Sequence, residues 1–98
     1  MNAISKRELF EKASKYPDAR KALQYWFDVT RAAEWRNLQD IRQDFPATDL
    51  VGALAFFNIK GNRYRLIARI VFQYQRVFIK EFLTHAEYSK GAWKKWLP

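Results

Sequence analysis

His85, Tyr88 and a run of basic residues before them are the side chains of this sequence best suited to chemistry. His85 and Tyr88 fall in THAEY (84–88), while Lys60, Arg63, Arg65 and Arg69 crowd into FFNIKGNRYRLIARI (56–70). Cleaving a phosphodiester beside a ribose without a metal needs three things: a base for the 2′-hydroxyl, cations for the charge developing on phosphorus, and an acid for the leaving 5′-oxygen. A histidine moves protons near neutral pH, and a tyrosine three residues later can share its side of a helix. Lys60, Arg63, Arg65, Arg69 and Lys80 supply cations, and Phe56, Ile67 and Phe82 offer apolar contact for bases. Internal attack by the 2′-hydroxyl would leave a 2′,3′-cyclic phosphate and a 5′-hydroxyl.

Each feature has a plainer reading. A lone histidine after a strand is more often structural, Tyr88 can simply pack, and hairpin arginines often serve only to stay solvated or to guard an edge. The distribution of charge favours a binding face. Residues 1–50 hold nine Lys or Arg against eight Asp or Glu, whereas residues 51–98 hold nine against two, so +7 of the net +8 belongs to the second half. An anionic partner would meet that half first. Its two carboxylates are Glu81 and Glu87, and Glu87 suits helix capping, which speaks against a two-metal nuclease. Zero cysteines and one histidine exclude disulfides and thiolate metal sites and argue against structural zinc. No metal and no cofactor are expected.

The composition, 49% hydrophobic with 17% aromatic residues, is that of a chain that folds, and 98 residues suit a single domain. No apolar run approaches the roughly 20 residues that cross a bilayer, and residues 1–10 lack the apolar stretch of a signal peptide. The expected location is the cytoplasm, with no membrane partner.

The elements that must position these residues follow from periodicity. Ser5 and Glu8 fit a capping box opening a helix that Pro17 stops near Tyr16. Asp18 fits the cap of a second helix, whose apolar positions 22, 23, 26, 27, 29 and 33 recur at helical spacing through about Trp35. Asn37 fits the cap of a third, LQDIRQDF, ended by Pro46. Residues 1–4 suit an edge strand. After Gly52 the period becomes two, and Gly61-Asn62 suits a type II′ hairpin that sets Lys60 opposite Arg63, Asn58 opposite Arg65, Phe56 opposite Ile67 and Leu54 opposite Arg69. The alternate face, including Phe57, Ile59, Tyr64, Leu66 and Ile70, must pack on the helices. A third strand over 77–83, entered with Phe72 pairing Val77, puts Lys80 beside Arg69 and sends Val77, Ile79 and Leu83 to the core. Glu81 then points inward, a conflict that a bulge would relieve. Thr84 and Glu87 read as a second capping box, opening a short helix that Gly91 ends, with His85 first and Lys90 near its end. A helix start stabilises a bound phosphate and favours a neutral imidazole. Trp26 and Trp35 suit the core; Trp93 and Trp96, interleaved with Lys94 and Lys95, suit docking of the C-terminal segment more than stacking on bases. The expected fold is α+β, with helices on one face of a small antiparallel sheet over 51–84, preceded by a mainly helical 1–50 and followed by a helix and tail over 85–98.

Two or three helices, then FNIKGNRYRLI, a further strand and THAEY, in that order and spacing, resemble the HigB-type toxins of bacterial toxin–antitoxin systems, RelE-like messenger RNA interferases. The resemblance implies one toxin domain that cuts mRNA on the ribosome and is neutralised by a HigA-type helix-turn-helix antitoxin, the complex binding its own operator DNA. It implies that Lys60, Arg63 and Arg65 neutralise the phosphate and that His85 and Tyr88 aid proton transfer; the expected catalytic residues are His85, Tyr88, Arg65 and Lys60, and the expected RNA-binding residues Arg63, Asn58, Arg69, Lys80 and Lys90. A non-enzymatic RNA- or ribosome-binding domain needs the same cationic face, and a toxin of related fold acting on DNA gyrase is a third class, one that gives no reason for a histidine beside an arginine cluster.

Overall fold

Pro17 opens a 3-10 turn, a position where the N–H that proline lacks is not needed. The computed structural model describes residues 1–4 and 6–96. Strand β1 (Asn2–Ile4) and helix α1 (Lys6–Lys12) precede one 3-10 turn, Pro17–Ala19, and the long helix α2 (Arg20–Ala32). Helix α1 stops short of Tyr16, and the capping box expected at Ser5 lies outside the described residues. Helix α2 buries Leu23, Trp26, Phe27 and Thr30, one stripe at 3.6-residue spacing. Asp18 does not cap it: the cap position falls to Ala19, and the Asp18 carboxylate turns toward the sheet. Helix α3 (Leu38–Asp44) does begin on its expected cap, the Asn37 Oδ1 accepting from the Asp40 N–H at 3.0 Å.

Strands β2 (Asp49–Val51), β3 (Leu54–Ile59), β4 (Tyr64–Val71) and β5 (Arg76–Thr84) join β1 in one sheet ordered β1-β5-β4-β3-β2. Four strands form an antiparallel set, and β1 adds to β5 as a parallel edge. The α+β class expected from the sequence holds. Strand β2 was not expected; with Leu50 half-buried between two exposed residues it is too short to show a period.

The hairpin register is the expected one at Asn58–Arg65, Phe56–Ile67 and Leu54–Arg69. The ladder ends one pair earlier, at Ile59–Tyr64, so Lys60 and Arg63 close the turn through a 3.3 Å bond from the Arg63 N–H to the Lys60 carbonyl. Both Lys60 (φ 53) and Gly61 (φ 65) are left-handed, whereas a type II′ turn asks this of the glycine alone.

Strand β5 departs further. Phe72 belongs to a 3-10 turn, Phe72–Tyr74, and Ile70 takes Val77 as its partner. Ala68 pairs with Ile79 and Ile67 with Glu81, which leaves Lys80 as the extra residue of a bulge. The bulge inverts the alternation beyond it. Phe82 therefore enters the main core and Leu83 the opposite face, the reverse of the expected placement, and Phe78 rather than Lys80 pairs with Arg69. Glu81 does not point inward but pairs with Lys95 at 3.1 Å.

The N-terminal helices cover one sheet face. Phe57 lies at its centre, edge-on to Trp26 (5.3 Å) and Phe45 (5.5 Å) and stacked with Trp35 (6.1 Å). The other face carries a second cluster, Leu54, Phe56, Ile67 and Leu83, covered by Tyr88 and Trp93. These come from helix α4 (His85–Ser89) and the 3-10 turn Ala92–Trp96, so the C-terminal segment packs opposite the other helices. Among the described residues no helix is long and apolar enough to cross a membrane.

Candidate active site

Arg65 stands on β4 between Asn58 of β3 and Leu83 of β5, on the face covered by the C-terminal segment. Its guanidinium carbon lies 5.0 Å from the centre of the Tyr88 ring, within the range of cation–π attraction. Tyr88 is itself held from several directions. It stacks on Trp93 (5.4 Å, 15°) and meets Phe56 edge-on (6.2 Å), while the Trp93 indole N–H donates to the Tyr88 carbonyl at 3.0 Å. Trp93 also packs edge-on to Phe56 at 5.0 Å, which is the docking role expected of it. The Trp96 side chain lies outside the described residues.

His85 follows β5 directly as the first residue of α4. The capping box is present: Thr84 Oγ1 accepts from the Glu87 N–H (3.2 Å) and a Glu87 carboxylate oxygen accepts from the Thr84 N–H (2.9 Å). The His85 N–H donates to the Arg63 carbonyl at 2.8 Å, fixing the histidine backbone to the β3–β4 turn while the residue remains exposed. Helix α4 has five residues, its cap Lys90 is followed by the left-handed Gly91 (φ 79), and one of its first amides is already taken by Thr84. The His85 and Glu87 amides at its start are thus already engaged.

Asp18 binds the same hairpin turn through its side chains. Its carboxylate accepts from the Tyr64 hydroxyl (2.7 Å), from Arg63 Nη1 (3.0 Å) and from Lys60 Nζ (3.3 Å). The Tyr64 hydrogen bond above all holds the Asp18 carboxyl below the usual carboxylate range, with Arg63 and Lys60 adding to it against an opposing desolvation. The same bond pushes the Tyr64 phenol above its ordinary value, with burial contributing. Lys60 and Arg63 are tethered yet open, with side chains 41% and 67% exposed, and Arg63 engages Asp18 through one nitrogen of its fork. Sequence reasoning missed this role because an acid beside proline reads locally as a cap, and its partners lie more than forty residues away.

The other candidates divide by position. Asn58 is half-buried opposite Arg65, its Oδ1 enclosed with no hydrogen-bond partner among the described residues. Lys90 is exposed at the end of α4. Arg69 lies four residues along β4 from Arg65, roughly 13 Å at the rise of a strand, and Lys80 sits half-buried on the bulge near it. The structure therefore sets Arg65, Tyr88 and Asn58 together toward the hairpin end of the sheet, with the Lys60–Arg63 turn and the His85 backbone beside them, while Lys80 lies on the bulge at mid-strand and Arg69 further along β4.

Residues 19–91 match a family described as HigB_toxin, the RelE-like toxic component of a toxin-antitoxin system. The chain belongs to this family. Relatives include the mRNA interferase HigB of Escherichia coli O6:H1, 33% identical over 93 residues that span 92% of this chain and 90% of the relative. The mRNA interferase toxin HigB of Escherichia coli strain K12 is 29% identical over 92 residues, spanning 91% and 88%. The part shared with the HigB toxin family runs from α2 through α4, so it includes every candidate residue of the hairpin and of THAEY, while Asp18 falls one position before it.

Proposed function

We propose that the chain is a single toxin domain, the toxin of a toxin–antitoxin module, and an endoribonuclease that cuts mRNA on the ribosome and so arrests translation. The observation that carries this reading is the Arg65–Tyr88 pair at the end of the sheet where the His85 N–H binds the Arg63 carbonyl. The relatives named as mRNA interferases support it.

In the proposed reaction the ribose 2′-oxygen attacks the adjacent phosphorus and the bond to the 5′-oxygen breaks. His85 and Tyr88 handle the two protons, one leaving the 2′-hydroxyl and one reaching the 5′-oxygen, while Arg65 and Lys60 stabilise the charge on the phosphorus oxygens. The products are a 2′,3′-cyclic phosphate and a 5′-hydroxyl. Arg63, Asn58, Arg69, Lys80 and Lys90 contact the strand. No metal takes part; in support, of the two carboxylates in the second half Glu81 pairs with Lys95 and Glu87 caps α4. A HigA-type helix-turn-helix antitoxin binds the toxin in the cytoplasm, and the complex binds its own operator DNA. The membership in a toxin–antitoxin family supports the pairing.

The test is brief expression in cells, followed by mapping of mRNA 5′ ends, with the same mapping on purified mRNA with and without ribosomes. New 5′-hydroxyl ends that depend on ribosomes and persist in chelator are the expected result. Ribosome binding with intact mRNA would move the reading to an RNA-binding domain without catalysis.

A further inference from the structure

An open cleft of about 730 Å³ lies at the end of the sheet remote from His85. Strand β4 separates the two ends: Tyr64 pairs with Thr84 at one and Val71 with Arg76 at the other, about 23 Å apart at the rise of a strand. Three segments converge on the cleft. The end of α2 and the connector after it bring Arg31, Glu34 and Arg36, and the β4–β5 connection brings Tyr74, Gln75 and Arg76.

The walls are tied together by Gln75. This residue is left-handed (φ 54), its side-chain amide donates to the Trp35 carbonyl (2.7 Å) and the Phe72 carbonyl (3.0 Å), and its own carbonyl accepts from the Asn2 N–H (2.7 Å). The cleft is thus shaped before anything binds. Arg31, Arg36 and Arg76 are exposed on its rim, and their side chains make no hydrogen bond or ion pair among the described residues, unlike Arg63 and Lys60 at the other end. Glu34 is the one acidic residue among the described residues lining it, and Tyr74 stands 67% exposed.

We infer that this cleft is a second RNA-docking surface, taking the phosphate backbone of a folded RNA on Arg31, Arg36 and Arg76 with Tyr74 stacking on a sugar or base. Uncommitted guanidinium forks on a preformed frame suit phosphates, and an exposed ring suits an unpaired base. An acidic peptide is the weaker fit, because peptide docking needs apolar anchor pockets and Met1 is buried here and Phe72 half-buried. The inference extends the reading of the chain as RNA-directed but does not depend on the cutting step.

The test is binding of the full chain to purified ribosomes across a salt series. In Arg31→Gln/Arg36→Gln/Arg76→Gln, affinity falls about tenfold and the slope of log affinity against log salt falls by about two to three, as expected for three lost phosphate contacts. Glu34→Gln, which removes the one anion of the cleft, tightens binding, a gain that misfolding cannot imitate. Unchanged affinity and slope in both variants would overturn the inference. So would loss of binding to a poly-glutamate peptide with ribosome binding intact, which would assign the cleft to an acidic protein. Failure of the cutting site reads differently, as ribosome binding by the parent chain with mRNA left whole.

Discussion

The Arg65 guanidinium rests 5.0 Å from the centre of the Tyr88 ring, so a cation of β4 and an aromatic of α4, twenty-three residues apart, form one unit. The contact depends on a planar, delocalised charge. Arg65→Lys keeps the charge but forfeits the flat face and the two-nitrogen fork, worth about 0.5–2 kcal/mol in such contacts. Cleavage of ribosome-bound mRNA should fall roughly tenfold or more while the melting temperature moves little. Full activity in this variant would mean that charge alone is needed at position 65.

Tyr88 is placed by Trp93, which stacks on it, donates to its carbonyl and packs on Phe56. Trp93→Ala removes that support from a half-buried position. A loss of about 1–3 kcal/mol is expected, seen as a lowered melting temperature, together with a fall in cleavage at temperatures where the chain is still folded. Trp93→Phe, which keeps a ring in the stack, should recover most of both.

How much of this was legible depended on the range of the forces involved. The pairing of Asn58 with Arg65 and of Phe56 with Ile67 follows from a turn four residues wide and a period of two, both written locally. The second half of β5 was misplaced because one bulged residue, Lys80, inverts everything after it; the clue was Glu81, which an unbroken alternation would have buried. Asp18 was read as a cap because local rules see only its neighbours, whereas Tyr64, Arg63 and Lys60 reach it across the fold. Within the site, the residues of THAEY and the hairpin were visible by type. That Lys60 and Arg63 are held by an acid, and that the second sheet face is covered by Tyr88 and Trp93, required the tertiary structure.

The Asp18–Tyr64 bond makes stability depend on pH at both extremes. The Asp18 carboxyl titrates lower in the folded chain than its ordinary 3.8, so its contribution is present above that value and is lost as pH falls through the folded value. The Tyr64 phenol titrates above its ordinary 10.0, so its contribution is present below that value and is lost as pH rises through the folded value. Asp18→Asn removes the carboxylate and weakens the bond that raises Tyr64. Melting temperature plotted against pH should therefore show a flatter acid limb and a smaller alkaline loss than the parent. Parallel curves for the two chains would mean that the node contributes nothing to the folded state.

His85 offers the sharpest test of chemistry, because its main-chain and side-chain roles separate cleanly. The bond to the Arg63 carbonyl comes from the His85 N–H, which His85→Gln retains, and the side chain is exposed, so the exchange leaves the turn and the capping box of Thr84 and Glu87 in place. What it removes is the ability to take and give a proton near neutral pH. Loss of general acid–base catalysis should lower cleavage roughly 10²-fold or more, with melting temperature and ribosome affinity preserved. Near-normal cleavage would make the histidine structural and pass proton transfer to the Tyr88 hydroxyl. Tyr88→Phe distinguishes that case, because it keeps the ring under Arg65 and against Trp93 and deletes only the oxygen.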